Sequence, residues 1–152
     1  MVDDDRSPAV KPADVREAAL RLLARREHSW VELTRKLSQK GWPADLVETE
    51  LAALAEAGLQ SDQRYAESFA RARSGKGYGP VRIRAELGDR GIDRSLIEHA
   101  LRELDADWFS IAADWYQRRY GSEAPQDFKE RSRRQQALAR RGFEHSIIRE
   151  LV

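Results

Sequence analysis

Five basic side chains and no acidic one lie between residues 71 and 84: Arg71, Arg73, Lys76, Arg82 and Arg84. They flank "GKGYGP", residues 75–80, in which Tyr78 stands between two glycines. Such a mixture of cations, glycines and one aromatic ring could cradle a phosphate, follow a nucleic-acid backbone or dock on an acidic surface. The phosphate cradle fits worst. A dinucleotide-binding loop follows a buried strand, whereas the preceding "SFARARS" reads as helix. A Walker loop needs Lys followed by Ser or Thr, whereas Lys76 precedes Gly77. The glycines therefore read as a flexible helix–helix connection, and the cations as either a binding surface or a solvated face.

A second basic run, "FKERSRRQQALARR" (128–141), sets six cations against Glu130 alone. Lys129, Arg131, Arg133 and Arg134 form a second candidate patch. On a helix, Glu130 is placed to pair with Arg133 or Arg134, so part of the run reads as an ordinary exposed face. Residues 1–60 carry nine basic and eleven acidic side chains, so both clusters lie in the rest of the chain. Across all 152 residues, 27 Lys and Arg balance 26 Asp and Glu, and bulk charge names no partner.

No other constellation of reactive groups emerges. The chain has no cysteine, which removes disulfides, thiolate metal sites and cysteine nucleophiles together. His28, His99 and His145 show no ligand spacing, and the carboxylates are scattered among helical partners such as Arg82–Glu86–Arg90. No catalytic, cofactor-binding or metal-binding residue is assigned. Trp30, Trp42, Trp108 and Trp115 could stack on bases, but packing or a helix end explains them better. The start "MVDDDRSP" is acidic where a signal peptide is basic and then apolar, and no apolar run approaches the roughly 18 residues of a membrane span. A soluble, cytoplasmic, monomeric protein is expected.

The elements that must position these residues follow from an internal repeat. "LSQKGWPADLV" (37–47), "LGDRGIDRSLI" (87–97) and "LARRGFEHSII" (138–148) share a Leu, a basic residue, Gly, a large apolar residue and two aliphatics at the same offsets. Upstream, Val15, Ala19 and Leu22 align with Tyr65, Phe69 and Ala72, and with Trp108, Ala112 and Trp115. These are offsets i, i+4 and i+7, one face of a helix. The third copy is longer, with most of the surplus placed in "GSEAPQ" (121–126).

Each copy reads as three helices. The first runs over 13–26, 62–74 and 107–120, the second over 29–40, 80–90 and 127–141, the third over 43–57, 93–104 and 144–151. Ser29 with Glu32 forms a capping box, Pro80 suits a first helical position, and Gly41, Gly91 and Gly142 end the second helices in the left-handed conformation. The fold expected is all-α: three tandem three-helix repeats of about 50 residues in an elongated curved array. Its limits are a flexible acidic segment at 1–10 and repeats at 11–59, 60–105 and 106–152.

The repeat also separates scaffold from surface. Leu33 and Leu37 match Ile83 and Leu87, which are therefore core. Arg82 and Arg84 are expected to be exposed, about 200° apart around the helix. With Arg71, Arg73, Lys76 and Tyr78 they make up the unopposed basic surface of the middle copy.

"RSGKGYGPVRIRAELGDRGI" (73–92) resembles the RecX family of bacterial recombination regulators, through its basic residue, Gly-Tyr-Gly-Pro, Arg-Ile-Arg and following Glu-Leu. The resemblance extends to "REHSWVELTRKL" (26–37) and to the three-by-three helical plan, and so covers all but the acidic start. It implies a protein without catalytic activity that binds the RecA recombinase filament and damps its ATP hydrolysis, strand exchange and co-protease activity. The rival reading is a helical nucleic-acid-binding module contacting DNA phosphates non-specifically; weak DNA contact through residues 71–84 would also be compatible with binding a DNA-containing filament. Against base recognition, 43–57 carries Asp45, Glu48, Glu50 and Glu56 and no Lys or Arg. A purely structural helical adaptor is the third reading.

Overall fold

The computed structural model describes residues 11–152, and the acidic segment 1–10 lies outside the described residues. Among the described residues there are nine helices and no strand. In chain order they are α1 (Pro12–Arg25), α2 (Trp30–Ser38), α3 (Ala44–Glu56), α4 (Asp62–Gly75), α5 (Pro80–Asp89), α6 (Arg94–Leu104), α7 (Trp108–Tyr120), α8 (Phe128–Arg141) and α9 (His145–Leu151). They form three three-helix domains in tandem, as the repeat implies. The described chain up to Asp62 is one compact unit, and residues 63–152, holding the second and third domains, are another.

The repeat positions become the cores. Val15, Ala19, Leu33, Leu37, Val47, Leu51 and Leu54 are fully buried in the first domain, with Trp30 and Trp42 packed against them. Tyr65, Ile83, Leu87, Ile92 and Ile97 occupy the matching places in the second. Ala112, Leu138, Phe143 and Ile148 do so in the third, where Trp108 and Trp115 pack on the edge. Ala72 departs from the pattern: it is exposed, because α4 turns Ala66, Ala70 and Ser74 inward.

The caps follow their sequence signals. Ser29 Oγ accepts a hydrogen bond from the Glu32 amide at 3.1 Å. The Glu32 carboxylate in turn accepts from Arg26 Nη2 at 2.7 Å. Gly41, Gly91 and Gly142 have φ of 84°, 78° and 99°. At the last two, the amides of Ile92 and Phe143 reach back to the carbonyls of Leu87 and Leu138, at 3.1 and 3.2 Å. These bonds satisfy helix-end carbonyls and seat each apolar side chain on its own helix. The surplus of the third copy is shared rather than confined to one loop, since α8 has 14 residues against 10 in α5 and residues 121–127 replace 76–79.

Among the described residues no helix is long and apolar enough to cross a membrane, and no three His, Asp or Glu side chains gather as metal ligands.

Candidate partner-binding surface

The loop 76–79 is held against the end of α8. The Gly79 amide donates to the Arg141 carbonyl at 2.8 Å and the Val81 amide to the Gly142 carbonyl at 3.0 Å. In return, Arg141 Nε donates to the Gly77 carbonyl at 3.2 Å, and its Nη2 donates to that of Lys76. Arg82 Nη1 reaches the Arg140 carbonyl at 3.1 Å. The amides of Lys76, Gly77 and Tyr78 close onto the carbonyls of Arg73 and Ser74. Every amide that a phosphate cradle would use is therefore taken by a protein carbonyl.

The glycines make this contact possible. A Cβ on Gly79 would stand 2.4 Å from the Gly142 carbonyl oxygen, and one on Gly142 would stand 2.4 Å from Arg82 Cβ. The flexible connection expected from sequence is instead a bonded seam between the second and third domains. Its glycines serve close backbone approach, and at Gly77 (φ 83°) a left-handed turn.

Around this seam the basic residues divide. The guanidinium carbons of Arg73 and Arg141 each lie 3.8 Å from the Tyr78 ring centroid, and that of Arg82 lies 4.7 Å away. One carboxylate, Glu86, accepts from Arg73 Nη2 at 2.7 Å and from Arg82 Nε at 2.8 Å. Burial pushes the Glu86 carboxyl upward, but the two arginines outweigh it and hold it below its usual value. Arg84 grips Glu98 with Nε at 2.7 Å. The expectation of an unopposed basic surface therefore fails at Arg73, Arg82 and Arg84, each of which faces a carboxylate. All three are half-buried. Arg82 pairs with Glu86 four positions on in its own helix, a pair legible in the sequence. Arg73 and Arg84 pair with Glu86 and Glu98 from other helices, which sequence separation hides. Arg71 and Lys76 remain exposed, and among the described residues neither has an ion-pair partner.

The second patch divides in the same way. Arg134 is 7% exposed and donates to Glu130 Oε1 at 3.2 Å, the Tyr116 hydroxyl at 2.9 Å and the Glu123 carbonyl at 2.9 Å. A cation can stand where the other copies have Leu33 and Ile83 because these partners satisfy it. Arg134 thus ties α8 to α7 and to the loop between them, and is not presented as surface. Arg131 donates to the Val152 carbonyl at 2.7 Å. Arg133 lies 3.5 Å from Glu130, and Lys129 is exposed. Lys129, Arg133, Gln136 and Arg140 form an exposed stripe at offsets i, i+4, i+7 and i+11 along α8.

Two further participants carry no binding signal in the sequence. Arg141 carried only a helix-end signal, and Trp115 only a packing signal. In the fold, the Arg141 guanidinium lies 5.1 Å from the Trp115 ring centroid as well as against Tyr78. Trp115 also lines a cavity of about 430 Å³ bordered by Arg71 and Lys76.

Three family models match the chain in order. They are the RecX first three-helix domain over residues 16–54, the second over 61–101 and the third over 105–152. The Regulatory protein RecX of Pseudomonas putida (strain GB-1) is 52% identical over 141 residues, covering 93% of this chain and 90% of the relative. That of Pseudomonas entomophila (strain L48) is 50% identical over 93% of this chain and 91% of the relative. The crystal structure of RecX from Lactobacillus salivarius superposes with a TM-score of 0.75 at 25% identity, covering 92% of this chain and 93% of that one. Domain matches in sequence order, half-identical relatives and a shared fold converge, and the chain belongs to the RecX family.

Proposed function

We propose that this chain is a regulator without catalytic activity. It binds the RecA filament on DNA and inhibits ATP hydrolysis, strand exchange and co-protease activity, thereby modulating recombination, repair and the SOS response. The observation carrying this reading is the 52% identity to a protein named Regulatory protein RecX, across 93% of the chain. The site chemistry supports it: the seam uses its cations for structure, and what it leaves exposed, Arg71 and Lys76, can meet carboxylates of a protein partner. The chain acts as a cytoplasmic monomer whose working domains are residues 11–59, 60–105 and 106–152, needing no cofactor or metal.

A second reading is favoured by one feature. The α8 stripe of Lys129, Arg133 and Arg140 can contact DNA phosphates without reading sequence, and so assist docking on a filament that contains DNA. Such binding is weak and steeply lost with added salt. Co-sedimentation with RecA filaments on single-stranded DNA tests the main reading. The chain should pellet with the filament far beyond its recovery with DNA alone. Equal recovery in both would leave only the DNA contact.

A further inference from the structure

A groove within residues 63–152 lies beside the seam and is not filled by it. Helix α4 presents Glu67, Arg71 and Gly75 to it at offsets i, i+4 and i+8, and α7 presents Ile111, Asp114, Trp115 and Arg118 at i, i+3, i+4 and i+7. Hollows of about 430 Å³ and about 270 Å³ share Arg71 and Leu104 in their linings and therefore lie side by side.

The lining selects an occupant. Leu104, Ile111 and Trp115 are half-buried and offer an apolar seat. The Trp115 ring is already engaged, with Arg141 at 5.1 Å and the Tyr120 ring at 6.2 Å, so it is poorly placed to stack on a base. Glu67, Glu103 and Asp114 also line the groove. A polynucleotide carries a charge at every phosphate, so one running through both hollows meets Glu67 and Glu103 in the smaller. A peptide can place its charges selectively. Lys76 stands at the end toward the seam, with Arg71 between the hollows, and neither is ion-paired among the described residues. Asp114 is neutralised by Arg118 at 3.0 Å. Glu67 and Glu103 lie in the smaller hollow.

We infer that the groove holds a short segment of a RecA subunit. An apolar side chain of that segment sits over Leu104 and Ile111, a carboxylate lies toward Lys76, and a basic side chain lies toward Glu103. The inference deepens the proposed function and rests on it for the identity of the partner.

Because the chain contains no cysteine, single labels can be placed without background. R118C at the groove and Q136C on the exposed face of α8 each receive a benzophenone maleimide, and are irradiated with RecA filaments on single-stranded DNA. RecA ATPase is followed with the same proteins. The R118C label should crosslink to RecA about tenfold more than the Q136C label, into a surface segment of that charge pattern. Adding R71E and K76E should reduce this yield about tenfold, equivalent to about 1.4 kcal/mol of binding. Loss of inhibition on labelling R118C but not Q136C would also support the groove. Inhibition retained without a RecA crosslink from R118C, or a crosslink to the oligonucleotide instead, overturns the groove and leaves the filament reading standing. Failure of the unlabelled wild-type chain to inhibit RecA overturns both.

Discussion

The guanidinium carbon of Arg141, the last residue of α8, lies 3.8 Å from the ring centroid of Tyr78, 63 positions earlier in the loop before α5. The same side chain donates to the carbonyls of Lys76 and Gly77. One residue thus spends its charge on a ring and its donors on backbone, and fastens the second domain to the third. Arg141→Ala should destabilise the fold by about 2 kcal/mol, combining a partly desolvated cation–π contact with lost hydrogen bonds. A double-mutant cycle with Tyr78→Ala, read by urea unfolding, should return a coupling above about 0.5 kcal/mol. Additive effects would show that the ring contact contributes nothing.

Gly79 tests the seam from the backbone side. Its added Cβ meets the Gly142 carbonyl, an atom that cannot swing aside as a side-chain tip can. Gly79→Ala should therefore cost more than about 1 kcal/mol and raise hydrogen exchange at the Val81 amide, which donates across the seam. Gly75→Ala, where nothing lies within 4 Å of the added carbon, is the control and should be nearly silent.

Within the domains the repeat makes its own demands. Ile83 is fully buried, and Ile83→Ala should cost about 2 kcal/mol or more. Gly91 holds φ 78°, and Gly91→Val should cost more than about 1 kcal/mol, because β-branched residues resist the left-handed region. Calorimetry on both variants checks these values. An unchanged melting temperature for either would break the link between repeat position and structural role.

Helix bounds, cores and caps were legible in the sequence because periodic apolar residues and cap glycines act locally. Gly41, Gly91 and Gly142 announced their positive φ through three aligned copies. The state of the cations was not legible, because it depends on contacts across α4, α5, α6 and α8. Nothing around Arg84 announces Glu98 as its partner, and no local pattern shows that Arg73 and Arg82 share Glu86. Arg134 likewise looked like surface until Tyr116 and the Glu123 carbonyl closed over it. Charge reversal at Arg82 and Arg84 would set new carboxylates against Glu86 and Glu98 and destabilise the fold. Reversal at Arg71 and Lys76 tests the surface without that confusion.

His28 gives the first domain a pH response. It is 2% exposed; Nδ1–H donates to the Arg26 carbonyl at 3.0 Å, and Nε2 accepts from Lys36 Nζ at 3.1 Å. Burial lowers its pKa below 6.5; the Arg26 and Lys36 charges act the same way, while the hydrogen bond to the Arg26 carbonyl and the charge of Glu32 oppose it. The unfolded chain therefore binds this proton more readily than the folded one. The contribution is present in full above about pH 6.5 and is lost as pH falls from there through the lower folded-state value. Urea unfolding across that window should show the decline in the wild-type chain and a flatter profile in His28→Gln. Equal slopes would remove His28 as the source.

The most direct measurement is RecA ATP hydrolysis on single-stranded DNA, titrated with this chain at fixed salt. Hydrolysis should fall to a low plateau with the wild-type chain. With R71E/K76E, whose circular dichroism and melting should match wild type, half-inhibition should need about tenfold more protein, or about 1.4 kcal/mol of lost binding. A hydrolysis rate that stays constant as folded wild-type protein is raised to excess over RecA would contradict the proposed function.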